Sequence, residues 1–178
     1  MKEFTRMMLA AYPRIPHLVG TMSEIISQTA LKSFYDRADC AATAVRLLRK
    51  IEKRDTLVFL GETMRRGVES LPETEKRILS ERYFGEAKYF RKEGYAFSKS
   101  TYYRRLRRAV RRLERFLENE GAEERFYRTG LHKTAFFSFL ADHLAMRRRK
   151  KLREETSTAA EVLPALFQTP NYAAQGGN

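Results

Sequence analysis

Residues 98–117, SKSTYYRRLRRAVRRLERFL, combine an apolar stripe with a dense set of arginines, and they decide the fold. Apolar side chains recur three and four residues apart, which is the period of an amphipathic helix. They are Tyr102, Leu106, Ala109, Val110, Leu113, Phe116 and Leu117. The flanks hold Arg104, Arg105, Arg107, Arg108, Arg111, Arg112 and Arg115. We therefore expect one side of this helix to pack on a core and the other to meet a polyanion.

Helical periodicity also covers most of the chain before this stretch, and no alternating β-branched run occurs. The sequence therefore predicts an all-α helical bundle. Residues 3–11 should form a short helix that stops near Pro13 and Pro16. Another helix follows around Leu18 to Thr29. A longer helix, with Asp39 as a candidate cap, should then run to a point before Pro72. Its apolar stripe is Ala44, Leu47, Leu48, Ile51, Val58, Leu60 and Met64, with a phase change near Asp55.

The segment around Pro72 has the features of a further helix start. Proline is favoured in the first turn, and Glu73 and Glu75 suit the positive end of the helix dipole. Gly85 is the predicted end of this helix. Residues 86–93 should form a short helix and residues 94–97 a turn. Ser98 is then a natural N-cap for the arginine-rich helix.

Gly121 should end or bend the arginine-rich helix. A further helix should run from Leu131 to about Arg153. The predicted apolar side of this last helix holds Phe136, Phe139, Leu140 and Leu144. Its basic cluster Arg147–Lys151 is a candidate auxiliary contact for phosphate. The predicted organisation is an N-terminal helical region (1–70), a DNA-binding unit (71–120), a basic helix (121–155) and a disordered tail (156–178).

The charge balance points to an anionic partner. The net charge is +13, and residues 98–117 contain eight basic side chains and one acidic one. A helix stabilised by surface ion pairs would mix the two signs. Nucleic acid is the leading candidate partner, and an anionic membrane surface is second.

Composition argues against several other classes of protein. Cys40 is the single cysteine, so a disulfide within the chain and a cysteine-based zinc site are excluded. The three histidines lack ligand spacing, so we expect no metal and no cofactor. A signal peptide and an apolar stretch of about 18 residues are both missing, which predicts a cytoplasmic protein that does not enter a membrane. Without a phosphate-binding glycine loop or a nucleophile motif, we do not expect an enzyme.

The order of elements in 71–117 is that of a helix-turn-helix, in which the last helix enters the major groove with its N-terminus first. The motif Leu71-Pro-x4-Arg77-Ile-Leu79, followed by Arg82-Tyr-Phe84, carries a family resemblance. So does Ser98-x2-Thr101-Tyr-x2-Arg105-Leu-x2-Ala109. Together these motifs resemble region four of bacterial RNA polymerase sigma factors and the small sigma-like regulators of phages and mobile elements.

The resemblance implies a sequence-specific DNA-binding transcription regulator that reads the −35 promoter element. By position, Ser98 is the cap, and Tyr102, Leu106 and Ala109 face the core. The predicted DNA-binding residues of the whole helix are Lys99, Ser100, Thr101, Tyr103, Arg104, Arg105, Arg107, Arg108 and Arg111. Because no region-two motif is found upstream, a sigma-like regulator is favoured over a complete sigma factor. Residues 86–97 also depart from the family's second helix and tight turn.

Double-stranded DNA is thus the predicted partner, and RNA polymerase and a second copy of the chain are further candidates. Two alternative functions stay open from the sequence. The arginine-rich helix of a protein-interaction module would dock an acidic protein while the N-terminal helices dimerise. An RNA-binding protein would use the same basic face on a structured RNA.

Overall fold

The computed structural model describes residues 1–35, 40–84, 98–147 and 149–150. These ranges are almost entirely helical and contain no strand, which confirms the all-α prediction. Their α-helices are α1 (Glu3–Ala11), α2 (Ile15–Tyr35), α3 (Cys40–Glu69), α4 (Glu73–Tyr83), α5 (Lys99–Asn119), α6 (Ala122–Arg128) and α7 (135–147). Residues 149–150 are helical as well.

The link between α1 and α2 corrects the predicted role of Pro16. As expected, α1 ends at Ala11, and Pro13 lies in a 3-10 turn, Tyr12–Arg14. Pro16, however, is the second residue of α2 rather than part of a break. The backbone N–H groups of a first helical turn have no partner within the helix, so a residue without an N–H is tolerated there.

Met1–Leu140 form one compact unit, whose core draws on helices from both ends of that range. The largest fully buried side chains are Phe4, Met8, Leu9, Leu57, Leu60, Met64, Ile78, Leu79, Leu113, Leu117, Phe126 and Phe137. The rings of Phe4 in α1 and Phe126 in α6 lie 5.4 Å apart, and those of Phe126 and Phe137 lie 4.9 Å apart. The second unit begins at Ala141, and its described residues are helical.

The stripe predicted for α3 is only partly buried. Leu60 and Met64 are fully buried, but Leu48 and Val58 are exposed. Of the described residues, those of α3 that reach the core begin at Thr56. Contacts of this half of the helix include Gly67 with Leu113 of α5 and Phe59 with Arg125 of α6. The helical spacing predicts that these residues share one side of α3, but it does not indicate how far the neighbouring helices extend along that side.

The segment after α6 differs from the predicted long helix. Gly121 and Gly130 both adopt left-handed φ angles of 65°, and each ends a helix. Leu131–Lys133 form a 3-10 turn and Thr134 is extended, so α7 starts at 135 and not at Leu131. This restart changes the buried side of the helix. Phe137 is buried against Phe126, whereas Phe139 is 68% exposed.

Several predictions concern residues outside the described ranges. They are the Asp39 cap, the helix end at Gly85, the short helix 86–93, the turn 94–97, the end of the last helix and the tail 156–178.

Helices α3 and α5 approach each other closely at Gly67. A Cβ atom at this position would lie 2.7 Å from Cδ1 of Leu113 and 2.9 Å from Cδ1 of Phe116. Leu113 is fully buried, so its side chain has little room to move. Glycine is therefore required here by packing and not by backbone conformation.

We predict that Gly67→Ala lowers the free energy of unfolding by about 1–3 kcal/mol because it overpacks the contact with α5. Gly20→Ala in α2 is the matched control, since a Cβ at Gly20 would meet no atom within 4 Å. There the loss of glycine's flexibility should stabilise the protein by about 0.5–1 kcal/mol. Urea unfolding of both variants measures the difference. Equal stability of the two variants would contradict close packing at Gly67.

Candidate nucleic-acid interface

The arginine-rich segment is the single helix α5, and its first turn is capped as predicted. The Ser98 hydroxyl accepts a hydrogen bond from the Thr101 N–H at 3.3 Å. A serine at this position satisfies one of the donors that a helix start leaves without a partner. Ser98 therefore fixes where α5 begins and which side chains occupy its exposed first turn.

One face of α5 is buried in the core as the sequence predicted. The buried residues are Leu106, Ala109, Val110, Leu113 and Leu117. Tyr102 is half-buried one turn before Leu106. Burial raises the pKa of the Tyr102 hydroxyl, and the nearby carboxylate of Glu81 raises it further. Tyr102 thus stays a neutral phenol at physiological pH on the side that faces α4.

The opposite face of α5 forms a surface groove with a volume of ≈ 470 Å³. Six arginines line it: Arg104, Arg107, Arg108, Arg111, Arg112 and Arg115. All six side chains are exposed. We call this feature the arginine groove. It extends over three turns, or roughly 16 Å of helix.

The structure divides the predicted site residues into two groups. Arg104, Arg107, Arg108 and Arg111 lie in the arginine groove. Lys99, Ser100 and Tyr103 are exposed in the first turns but do not line it, and Thr101 and Arg105 are half-buried. Ser100 precedes Arg104 by four residues, so it continues the groove's face toward the N-terminus of α5.

Two groove residues, Arg112 and Arg115, were not among the predicted site residues. The signal was present in the sequence, because each lies four residues after a predicted site residue, Arg108 and Arg111 respectively. Side chains four positions apart share a helix face. Grouping the arginines by this spacing would have given the full groove.

The acidic side chains nearest the C-terminal half of α5 point to the N-terminal segment and not into the groove. The backbone N–H of Lys2 donates to the Glu114 carboxylate, and the Lys2 ammonium lies 2.8 Å from Glu118. The hydrogen bond to Glu118 raises the pKa of Lys2. Within the described parts of the chain, no carboxylate pairs with Arg104, Arg107, Arg108, Arg111 or Arg115. The groove therefore keeps its positive charge.

Arg112 differs from the other groove residues because it anchors α5 to α4. Its Nη1 lies 3.1 Å from Oε2 of Glu75, and they form a hydrogen-bonded ion pair. The Glu75 residue is only 5% exposed, whereas the Arg112 side chain is half exposed. Glu75 also lies in the first turn of α4, where the helix dipole favours negative charge. This pair therefore holds the middle of α5, and the arginine groove with it, next to the first turn of α4.

The chemistry of the groove is that of anion binding. Guanidinium groups stay charged at all physiological pH values and donate paired hydrogen bonds to phosphate oxygens. Five of the six groove arginines have no carboxylate partner among the described residues, and such a row suits an extended polyanion. Across residues 1–35, 40–84, 98–147 and 149–150, no three His, Cys, Asp or Glu side chains are placed to hold a metal. No helix in the described part of the chain is long and apolar enough to cross a membrane.

Comparisons with known proteins do not assign the chain to a family. No family model matches the chain, and no curated protein and no solved structure is significantly similar to it.

We predict that substituting Arg112 and substituting Glu75 lower the free energy of unfolding by unequal amounts. Arg112→Met keeps the aliphatic stem but leaves a buried carboxylate unpaired, so it should cost about 2–3 kcal/mol of unfolding free energy. Glu75→Gln leaves a half-exposed guanidinium that water can solvate, and it should cost about 1 kcal/mol or less. Urea unfolding of both single variants and the double variant measures the coupling. Equal losses in the two single variants would argue against the buried pair.

The repulsion within the arginine groove gives a second prediction. Like charges three or four residues apart destabilise a helix by about 0.2–0.5 kcal/mol per pair. The double variant Arg108→Gln/Arg111→Gln should therefore stabilise the free protein by about 1 kcal/mol at low ionic strength. The gain should shrink in 1 M NaCl, which screens the repulsion.

Arg65→Gln is the control, because we expect it to change the stability of the protein in the opposite direction. Arg65 in α3 forms ion pairs with Glu62 and Glu69, so its removal should destabilise the protein. Thermal unfolding at two salt concentrations measures both variants. Destabilisation by the groove variant at low salt would show that its arginines have carboxylate partners after all.

Proposed function

We propose that this protein is a sigma-like transcription regulator that binds double-stranded DNA sequence-specifically, with α5 as its recognition helix. The proposal makes it a cytoplasmic protein, and it needs no cofactor. The arginine groove, a face of six exposed arginines on one rigidly packed helix, is the observation that carries it.

The dimensions of α5 support insertion in the major groove of DNA. A helix with its side chains is about 10–12 Å in diameter, and the major groove is about 12 Å wide. Phosphates border this groove on both sides. The arginine groove extends along α5 for several turns, so its guanidinium groups would reach phosphates while the first turn meets base edges. Ser100 and Arg104, at the N-terminal end of the groove's face, are the proposed base-reading residues, and Lys99 and Tyr103 are exposed in the same first turns.

The relation between α4 and α5 supports a helix-turn-helix arrangement. Residues 85–97 separate the two helices in the chain, and the ion pair between Glu75 and Arg112 joins them in space. In this arrangement the first helix holds the recognition helix at a set angle to the duplex. The resemblance to sigma region four adds RNA polymerase as a second proposed partner.

The affinity for duplex DNA tests this proposal. Arg111→Ala should weaken binding to all sequences alike and reduce the slope of log K against log salt by about 0.9, because one phosphate contact is lost. Arg104→Ala should weaken binding to a selected site by about 1–3 kcal/mol, the range of a lost base contact. Arg128→Ala is the control, since Arg128 is exposed in α6, outside the groove, and pairs with Glu124. Fluorescence anisotropy with labelled duplexes measures all three variants.

The outcome of the binding experiments distinguishes DNA binding from RNA binding and from a protein-interaction module. Selection of bound duplexes from a random pool should yield one enriched sequence and supply the site for the Arg104→Ala measurement. Absence of duplex binding even at low salt would overturn the proposal. Tighter binding to a structured RNA in competition would indicate an RNA-binding protein. A protein partner captured equally with and without nuclease treatment, in the absence of duplex binding, would indicate a protein-interaction module.

A further inference from the structure

The C-terminal end of the arginine groove has a carboxylate beside it that is able to neutralise one of its arginines. Glu118 follows Arg111 by seven residues, or about two helical turns, so both lie on the same face of α5. Glu118 also follows Arg115 by three residues, a spacing at which opposite charges on a helix pair with each other. The Glu118 side chain is 41% exposed, so no packed neighbour prevents such a pair.

The Glu118 carboxylate instead pairs with the N-terminal segment. The Lys2 ammonium lies 2.8 Å from Oε1 of Glu118 and 3.7 Å from Oε2 of Glu123 in α6. The backbone of Lys2 is held in place, because its N–H donates to Oε1 of Glu114. The hydroxyl of Thr5, a fully buried residue, donates to the same oxygen at 3.4 Å. The Lys2 ammonium therefore reaches Glu118 from a well-anchored start of α1.

The two carboxylates on this side of α5 are held in different ways. Glu114 is half-buried and bonds to a backbone N–H at the start of α1, where the helix dipole also favours negative charge. Replacing the Lys2 side chain would leave that bond in place. Glu118 is exposed, and the Lys2 ammonium is its one ion-pair partner among the described residues. The orientation of Glu118 thus depends on a single side chain.

We propose that Lys2 is a positioning residue for the arginine groove, whose ammonium holds the Glu118 carboxylate away from Arg115. Without this ammonium, Glu118 pairs with Arg115 and the groove loses one guanidinium that could bind a phosphate. Exposed ion pairs contribute little to the stability of a protein, so the main effect of Lys2 is on the charge of the groove. The expected effect on DNA affinity rests on the proposed function, whereas the effect on the pairing of Arg115 does not.

NMR of the free protein tests the pairing of Arg115 without nucleic acid. A charge-assisted hydrogen bond to a carboxylate moves the Nε–H signal of an arginine downfield. The Arg115 signal should therefore move downfield in Lys2→Met and return to its wild-type position in Lys2→Met/Glu118→Gln. Lys2→Arg restores the cation and should leave the signal where the wild type has it. An Arg115 signal that Lys2→Met does not move, or that Glu118→Gln does not return, would overturn the proposal.

Duplex binding tests the consequence for the groove. Lys2→Met should reduce the slope of log K against log salt by about 0.9, because Arg115 no longer contacts a phosphate. Lys2→Met/Glu118→Gln should restore the wild-type slope. A slope that stays low in the double variant would show that Lys2 itself contacts DNA, and it would overturn the positioning role. Lys133→Met is the matched control, since it removes an exposed lysine that does not line the groove.

The two measurements separate failure of this inference from failure of the proposed function. If the wild type does not bind duplex DNA, the proposed function is overturned, and the Arg115 signal still decides the role of Lys2. If the wild type binds duplex DNA and the Arg115 signal is the same in Lys2→Met, the role of Lys2 is overturned and the proposed function stands. Circular dichroism confirms that each variant is folded.

Discussion

The close approach of α5 to α3 at Gly67 is the constraint on which the rest of the structure depends. It buries Leu113 and the other apolar side chains of α5, and so determines the rotation of that helix. Once this face is buried, the arginines can lie only on the outside. The same rotation turns Glu114 toward Lys2, so the acidic residue of the stretch is paired away from the groove. The packing of α5 on α3 therefore determines both which side of α5 is buried and where its acidic and basic side chains point.

An uncompensated row of arginines has a cost in the free protein. Neighbouring guanidinium groups repel one another, and the carboxylates that would relieve the repulsion are paired elsewhere. Binding of a polyanion removes this cost, which is why such a surface suits an anionic partner better than a solvated face. Arg112 is the exception, because its pair with Glu75 contributes to holding α4 against α5.

Local patterns in the sequence were sufficient to locate most helices and the ends of several. The Ser98 cap, the end of α5 at Gly121 and the apolar face of α5 follow from spacing and residue type, since these interactions lie within one or two turns. The arginine-bearing face could be predicted in the same way, except that Arg112 and Arg115 were left out of the site.

Only the tertiary structure decided which apolar faces are covered and which charges are paired. Helical periodicity shows which residues share a face, but not whether another helix lies against it. Leu48 is exposed for this reason, whereas Phe137 replaces Phe139 in the core because α7 starts at 135 and not at Leu131. The partner of Arg112 is Glu75, which is distant in sequence and is brought near by the packing of α4 on α5. The sequence by itself determined the helices and their faces, and three-dimensional packing determined which faces stay free to bind.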